Sequence, residues 1–261
     1  MTVMKKVFTC VLMALILLGC AKKKDAMLAA YEKELAKLET VLDNESEDEA
    51  EMESAIADIT AELLALAEKS EQVALRLFED KVTYFLSLDQ KARLFASVTM
   101  DSLEAHGLGK AYVRYLGEQN TQAGKPMIDI VCATPKGDSL HLADIVAAHD
   151  FVLLDFWASW CRPCRELMPE LKEIYAAHKG KRLEIVSISI DKDLEAWKAM
   201  IEKLDLPWLH GAAQLAREGT EPADVYGINY IPTLFLIGHD GTIIAREPEL
   251  KDVEEKLTSD N

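Results

Sequence analysis

From Met127 onward, short apolar runs alternate with amphipathic stretches, and this alternation restricts the fold more than any other feature of the chain. Strands are predicted over Met127 to Val131, Phe151 to Trp157, Leu183 to Ile190, Thr233 to Ile237 and Thr242 to Arg246, and helices after Cys161, after Asp193 and over Glu249 to Leu257. Alternating strands and helices are typical of a central sheet covered by helices. Asp240-Gly241 predicts a tight hairpin between the last two strands, so this edge of the sheet should be antiparallel.

The stretch before residue 117 has a helical periodicity instead. Its apolar residues recur at alternating spacings of three and four, which predicts helices with one apolar seam. The seam comprises Leu28, Tyr31, Leu35, Leu38 and Leu42, followed by Met52, Ile56, Ile59, Leu63 and Leu66. It fits either a bundle within one chain or a dimer.

Capping residues divide this helical region. Helix starts are predicted at Ser46 with Glu49, at Ser70, and at Ser87 with Gln90. The helix that begins at Ser87 is predicted to run toward His106-Gly107, and a short helix follows over Ala111 to Leu116. The region is therefore expected to be entirely helical.

The first residues have the pattern of an export signal. A short basic start precedes the apolar run Val7 to Leu18, which is shorter than the about 20 apolar residues that a spanning helix needs. The ending Leu17-Leu18-Gly19-Cys20 resembles the lipobox of bacterial lipoproteins, so Cys20 is expected to carry lipid. We expect a periplasm-facing lipoprotein of a diderm bacterium, with inner and outer membrane both open. An ordinary signal with an incidental Cys20 is the alternative.

The predicted organisation has four parts. Residues 1–19 are a signal segment, 20–117 a helical region, 118–126 a linker and 127–261 the α/β domain. The linker prediction rests on the polar, glycine-bearing stretch Gly117 to Pro126.

Charge and cysteine count narrow the function. The net charge of −16 argues against a nucleic-acid partner, because phosphate binding needs a concentrated Lys/Arg surface. Once the signal is removed and Cys20 is modified, Cys132, Cys161 and Cys164 remain. They allow one disulfide and one leftover thiol. Cys132 alternates with apolar residues, which favours a buried structural role over a redox one.

Cys161 and Cys164 follow a predicted strand and begin a predicted helix. Two cysteines at this spacing can close a small disulfide ring with little backbone movement. The unpaired amides and positive end of the helix favour the thiolate of Cys161 and lower its pKa. Cys161 is therefore predicted to be the nucleophile, and Cys164 the cysteine that resolves the mixed disulfide. Half of a zinc site is the alternative, although no second Cys or His pair at zinc-finger spacing accompanies it.

The segment Val152 to Cys164, with the sequence VLLDFWASWCRPC, resembles the active-site segment of thioredoxins. The resemblance is closer to the TlpA/ResA-like group of exported thioredoxin-fold thiol-disulfide oxidoreductases and covers about Lys125 to the C-terminus. It implies a thioredoxin-like fold, a central mixed sheet flanked by helices, preceded here by the helical region. Pro169 matches the proline that kinks the active-site helix. The segment Asp191 to Trp208 resembles the extra helix of the exported group.

The resemblance also implies roles for residues around the cysteines. Asp155 matches a buried carboxylate below the second cysteine; its apolar neighbours favour burial, which would raise its pKa and let it accept the proton of Cys164. A strand-end acid in solvent is the alternative. Ile231 and Pro232 match the cis-proline loop, where the Ile231 backbone would pair with substrate. Trp160 is expected to contribute an apolar landing surface.

The residues between the cysteines are interpreted as tuning the reduction potential of the disulfide. Arg162, and Pro163 beside it, lie between the two thiols, and a fixed cation next to Cys161 makes the disulfide more oxidising. Arg165 is interpreted as a solvated charge. None of the six histidines lies in a motif, and none is assigned a catalytic role.

The family implies a reductase that acts on oxidised periplasmic proteins and receives electrons from a membrane donor. Neither a cofactor nor a metal ion is expected. A disulfide oxidase or isomerase, and a scaffold that binds partners through the helical region, are the alternatives. A peroxiredoxin is disfavoured, since Ala158 stands where that group has a threonine before its reactive cysteine.

Overall fold

The computed structural model describes residues 26–43, 49–80, 82–216 and 221–259. The chain divides into two compact units between Ala111 and Tyr112. The predicted signal segment, Cys20 and the capping residue Ser46 lie outside the described residues. Within the described ranges, no helix combines the length and apolar character needed to cross a membrane.

The first unit is helical, as the seam and caps predicted. Its helices are α1 (residues 26–43), α2 (Glu49–Ala67), α3 (Glu71–Glu79), α4 (Leu88–Ala96) and α5 (Met100–Ala105), with a 3₁₀ turn at Val82–Phe85. Ser70 caps α3, and Ser87 forms the predicted capping box with Gln90. The prediction of one helix from Ser87 toward His106 is wrong. Thr99 caps a new helix by accepting the N–H of Ser102.

The apolar seam of this unit is largely buried. Tyr31, Leu38 and Leu63 are at most 2 % exposed, and the Tyr31 hydroxyl donates to Asp80 over 2.8 Å. Leu42, at the end of α1, is 45 % exposed. The seam thus contributes to a core within the unit, and the dimer stays a prediction.

Helix α6 (Gly109–Asn120) is longer than the helix predicted over Ala111 to Leu116 and includes the first residues of the predicted linker. Its part beyond Tyr112 packs in the second unit. Gly117 lies so close to the segment 224–227 that a Cβ there would come within 2.5 Å of the Asp224 carbonyl oxygen. Arg114 donates to the Asp224 carboxylate over 2.6 Å. Backbone contact and ion pair together anchor α6 against this segment.

The second unit contains a five-stranded sheet of order β5-β4-β3-β6-β7 and a separate two-stranded sheet, β1-β2. The strands are β1 (Val131–Ala133), β2 (Ser139–His141), β3 (Phe151–Trp157), β4 (Leu183–Ser189), β5 (Leu209–Ala212), β6 (Thr233–Gly238) and β7 (Ile243–Arg246). Strands β3, β4 and β5 are parallel to one another. Strand β6 runs antiparallel to β3, and β7 runs antiparallel to β6. The predicted hairpin at Asp240-Gly241 is confirmed.

One strand prediction is wrong, and strands β2 and β5 were not predicted. The strand predicted over Met127 to Val131 begins only at Val131 and pairs with β2 outside the main sheet. Strand β5 lacks a prediction because its four residues, Leu209–Ala212, include His210 and Gly211 and carry no apolar alternation. Gly211 is required there, since a Cβ would collide with the Cys132 sulfur.

Helices α7 (Leu142–Ala148), α8 (Arg162–His178), α9 (Leu194–Leu204), α10 (Pro222–Val225) and α11 (Leu250–Ser259) complete the unit. The central strand β3 is buried on both faces. Leu153 and Trp157 point into one core, which α8 and α11 cover, while Val152, Leu154 and Phe156 point into the other. Because strand side chains alternate, Asp155 lies on the α8 side.

Candidate active site

Cys161 and Cys164 form a disulfide at the first turn of α8. Cys161 is the N-cap residue, and the backbone N–H of Cys164 donates to its sulfur over 3.2 Å. Cys161 is 4 % exposed and Cys164 is fully buried. Helix amides that point at Cys161 stabilise negative charge on that sulfur, and Cys161 is the less buried of the two cysteines.

Asp155 is the buried carboxylate that the resemblance implied, and it is 0 % exposed. Desolvation raises its pKa to about 7, while a hydrogen bond from Ser187 acts in the opposite direction. The Ser187 hydroxyl donates to Asp155 Oδ2 over 2.8 Å. Asp155 Oδ1 accepts no hydrogen bond from any described residue. A carboxyl group with a pKa near neutrality can both take up and release a proton.

The Ile231–Pro232 peptide bond is cis, as the resemblance implied. The Thr233 hydroxyl donates to the Tyr230 carbonyl oxygen over 2.6 Å and braces the loop from inside. The Ile231 carbonyl oxygen lies 3.7 Å from the Cys161 sulfur. The loop therefore presents backbone next to the Cys161 side of the disulfide.

Two aromatic side chains near the disulfide differ in exposure. Trp160 is 64 % exposed and Tyr230 is 54 % exposed, and the landing surface at Trp160 stays a prediction. Trp157 is fully buried and belongs to the core. Beside Pro232 lies an open cavity of about 330 Å³ with Leu167, Leu234 and Leu250 among its lining residues and three glutamates, Glu170, Glu247 and Glu249.

Arg162 and Pro163 occupy the first turn of α8. Proline is favoured there because a backbone N–H in the first turn has no acceptor within the helix, so its absence costs nothing. Arg162 pairs with Glu166 over 2.7 Å, and its side chain is 81 % exposed. This carboxylate offsets part of the charge that was expected to act on Cys161. Pro169 lies inside α8, at the position that the resemblance implied.

Sequence reasoning missed the residues that fix the loop before Cys161. The backbone N–H and hydroxyl of Ser159 donate to the Asp191 carboxylate over 2.8 and 2.7 Å, and Ser189 donates to it over 2.6 Å. Arg165 donates to the Ser159 carbonyl oxygen over 2.7 Å, so its interpretation as a solvated charge is wrong. Buried polar groups need partners. Polar residues at every second position of Ser187 to Asp191 were the available signal.

His210 also lies below the site and was assigned no role. It is 5 % exposed, and its ring is 6.0 Å from that of Trp208 and 6.3 Å from that of Trp157. Burial lowers its pKa to about 4, so the ring is neutral at physiological pH.

The remaining cysteine has the predicted structural character. Cys132 is 3 % exposed, forms no disulfide among the described residues, and desolvation raises the pKa of its thiol to about 11. Because the thiolate is the reactive species, this thiol is inert at neutral pH. No group of three or more His, Cys, Asp or Glu side chains in the described ranges is arranged to hold a metal ion.

Comparisons with known proteins match the C-terminal half of the chain. A family model described as thioredoxin-like matches residues 149–243. A thiol-disulfide oxidoreductase ResA of Bacillus thuringiensis is 32% identical over 127 residues, which cover 49% of this chain and 70% of the relative. A protein of the same name from Bacillus cereus is 29% identical over 132 residues, 51% of this chain and 73% of the relative.

Solved structures that are similar to part of this chain include a thiol-disulfide oxidoreductase from Bacteroides fragilis. It is 31% identical, with a TM-score of 0.47, and the match covers 52% of this chain and 100% of that structure. The N-terminal helical unit lies outside the family-model match.

Proposed function

Because this chain belongs to the ResA thiol-disulfide oxidoreductases of thioredoxin-like fold, we propose that it is a reductase of oxidised proteins outside the cytoplasm, with Cys161 and Cys164 as its dithiol. One observation carries this proposal. The disulfide lies at a helix N-terminus with the Cys161 sulfur 3.7 Å from the backbone of a cis-proline loop and a buried carboxylate on the same side of the sheet.

In the first step, the Cys161 thiolate attacks a substrate disulfide. A bond forms between Cys161 and one substrate sulfur, and the other substrate sulfur leaves as a thiolate. The amides of the first turn of α8 stabilise the attacking thiolate before the bond forms. The Ile231 backbone is placed to pair with the substrate chain in the manner of an added strand.

In the second step, Cys164 resolves the mixed disulfide. Asp155 accepts the Cys164 proton, and the resulting thiolate attacks the Cys161 sulfur. The Cys161–Cys164 disulfide forms, and the second substrate sulfur leaves. The two substrate thiolates take up two protons, one from Asp155 and one from solvent. The substrate gains two electrons and the enzyme loses two, so electrons and protons balance. A pKa of about 7 suits Asp155 to this transfer.

The direction of electron flow is tested by the reduction potential. A value near −270 mV, as in thioredoxin, supports a reductase, whereas a value near −120 mV supports an oxidase. The ion pair of Arg162 with Glu166 favours the first outcome, because it weakens the cation that would make the disulfide oxidising. Purified protein that cannot reduce a model disulfide would overturn the proposal.

Substrates and electron donor are proposed to be oxidised periplasmic proteins and a membrane carrier. A Cys164→Ser variant lacks the resolving thiol and should retain substrates as mixed disulfides on Cys161. A Cys161→Ser variant is the matched control, since it should retain none. Identification of the trapped proteins by mass spectrometry would name the substrate class.

The membrane anchor is proposed to be lipid on Cys20. The proposal rests on the apolar run and the residues before Cys20. Metabolic labelling with a fatty acid should mark the wild type and leave Cys20→Ser unmarked. Equal labelling of both would refute the anchor.

The helical unit is proposed to recognise partners. Deletion of residues 26–108 leaves α6, which anchors to the second unit, in place. Reduction of a model disulfide should survive this deletion, while the physiological reaction should be lost. If both activities survive unchanged, the helical unit has no role in recognition.

A further inference from the structure

A chain of two hydrogen bonds ends on Asp155. The Trp208 indole N–H donates to the Ser187 hydroxyl over 2.9 Å, and that hydroxyl donates to Asp155 Oδ2 over 2.8 Å. Ser187 pairs directly with Asp155 across the β3–β4 register. Ser187 is fully buried and Trp208 is 6 % exposed, so bulk water does not compete for these bonds.

The chemistry of the donor groups fixes the direction of these two hydrogen bonds. An indole N–H can only donate, so the Ser187 oxygen must accept from Trp208. The single hydroxyl hydrogen of Ser187 is then directed at Asp155. A hydroxyl that accepts one hydrogen bond donates a stronger second one, because the chain is polarised along its length.

The two oxygens of Asp155 are therefore inequivalent. Oδ2 accepts from Ser187, whereas Oδ1 has no partner among the described side chains and backbone groups. A carboxylate whose one oxygen is occupied as an acceptor binds its proton on the other oxygen. Asp155 lies on the face of β3 whose core includes Cys164.

We propose that Ser187, oriented by Trp208, is a positioning residue that reserves Oδ1 of Asp155 as the atom exchanging a proton with Cys164 and sets the pH at which this exchange occurs. The exchange itself rests on the proposed function. The hydrogen-bond chain and its effect on Asp155 do not.

Among the described residues, no second charge near Asp155 sets this pH in place of Ser187. On β5, the register partner of Ser187 is His210, which is neutral above about pH 4. On α8, Cys161 and Cys164 are joined in the disulfide. On β6, the register partner of Asp155 is Leu234. Among the described residues, burial and Ser187 are thus the influences on this carboxyl group.

The titration of Asp155 in the oxidised protein tests the proposal. The protonated-carboxyl band in the infrared spectrum, assigned by its loss in Asp155→Asn, reports the charge of this group without turnover. Ser187→Ala should raise the midpoint by about one to two pH units, because a hydrogen bond to the charged form is lost. Trp208→Phe should raise it by less, since the hydroxyl remains.

A double variant that combines Ser187→Ala with Trp208→Phe distinguishes positioning from a general effect of mutation. If Trp208 acts through Ser187, then Trp208→Phe adds no further rise once Ser187 is alanine. Trp197→Phe is the matched control. Trp197 is fully buried in the same core, and its indole N–H has no partner within the described part of the chain. Its replacement should leave the midpoint unchanged.

Two results would overturn the proposal: a midpoint that Ser187→Ala leaves unchanged or lowers, and a further rise from Trp208→Phe in the Ser187→Ala background. If Ser187→Ala does not fold, an unchanged midpoint in Trp208→Phe alone overturns it. The failure of disulfide reduction in the wild type would refute the proposed function and leave these titrations interpretable.

Discussion

Replacement of Asp155 by asparagine should change how the stability of the second unit depends on pH. Asp155 is fully buried, and desolvation raises its pKa from 3.8 to about 7. A difference of one in pKa between folded and unfolded protein corresponds to about 1.4 kcal/mol. The charged carboxylate therefore lowers the free energy of unfolding by ~4 kcal/mol at a pH above both values.

The effect of Asp155 on the free energy of unfolding depends on how many protons the folded and unfolded states bind at each pH. Below pH 3.8 both states of the wild type are protonated at Asp155, and there is no cost. Between pH 3.8 and about 7 the unfolded chain has lost this proton and the folded protein retains it, so the contribution of Asp155 to the stability of the wild type falls as the pH rises. Above about pH 7 the cost is complete and constant. The asparagine variant lacks this decline.

Urea unfolding of the oxidised proteins between pH 4 and 8.5 measures the effect. All four tryptophans lie between Trp157 and Trp208, so their fluorescence reports only the second unit. The difference between variant and wild type cancels the titration of His210, which both contain. The asparagine side chain of the variant lacks a partner for its NH₂ group. This lowers the free energy of unfolding by the same amount at every pH and does not alter its pH dependence.

The difference in unfolding free energy should grow in favour of Asp155→Asn by ~4 kcal/mol between pH 4 and pH 8 and then level off. A difference that is independent of pH would show that Asp155 titrates near its ordinary value. The buried, proton-exchanging carboxyl group would then be refuted.

Three further predictions concern other residues. Burial lowers the pKa of His210 from 6.5 to about 4, so the titration of His210 contributes a loss of ~3 kcal/mol as the pH falls through that interval, opposite in sign to the contribution of Asp155; the unfolding free energy of the wild type relative to His210→Phe should therefore fall by this amount in the same urea titration. Glu166→Gln removes the partner of Arg162 and should make the disulfide more oxidising by about 10 mV against a glutathione buffer, because the pair is exposed; an unchanged or lower potential would contradict the tuning role. Gly117→Ala places a Cβ against the Asp224 carbonyl and should destabilise the second unit by about 1–3 kcal/mol, whereas Gly109→Ala, where a Cβ would meet only Glu104 Cγ at 3.8 Å, should not.

The parts of the fold that were predictable depend on local signals. Strands β3, β4 and β6 are long apolar runs, and the turn at Asp240-Gly241 carries its own chemistry. Strand β5 was not predictable, because its four residues acquire strand geometry from pairing with β4 and not from their own pattern. The break between α4 and α5 at Thr99 was missed because the sequence on both sides of this capping residue has a helical pattern.

The same distinction applies to the site. Cys161, Cys164 and the cis bond before Pro232 follow from a contiguous motif and a family resemblance. The partners of Asp155 come from β4 and the residues before β5, and their spacing in sequence gives no indication of contact. The anchoring of the loop before Cys161 by Asp191 depends on strand register in the same way.

The extent of α6 shows a third limit of sequence reasoning. Gly117 was interpreted as the start of a linker because the stretch from Gly117 to Pro126 is polar and contains glycine, yet Gly117 lies within α6. Its role there is to allow close backbone approach to the segment 224–227, which only the tertiary structure reveals.

In the proposed reaction Cys161 attacks and Cys164 resolves, and mass spectrometry of a single turnover distinguishes these two roles. The reduced protein is mixed with oxidised glutathione, quenched with acid and mapped by peptide. The wild type should end as the Cys161–Cys164 disulfide without an adduct, Cys164→Ser should stop with glutathione on Cys161, and Cys161→Ser should do neither. An adduct on Cys164 or Cys132, or a wild-type rate in Cys161→Ser, would contradict the account.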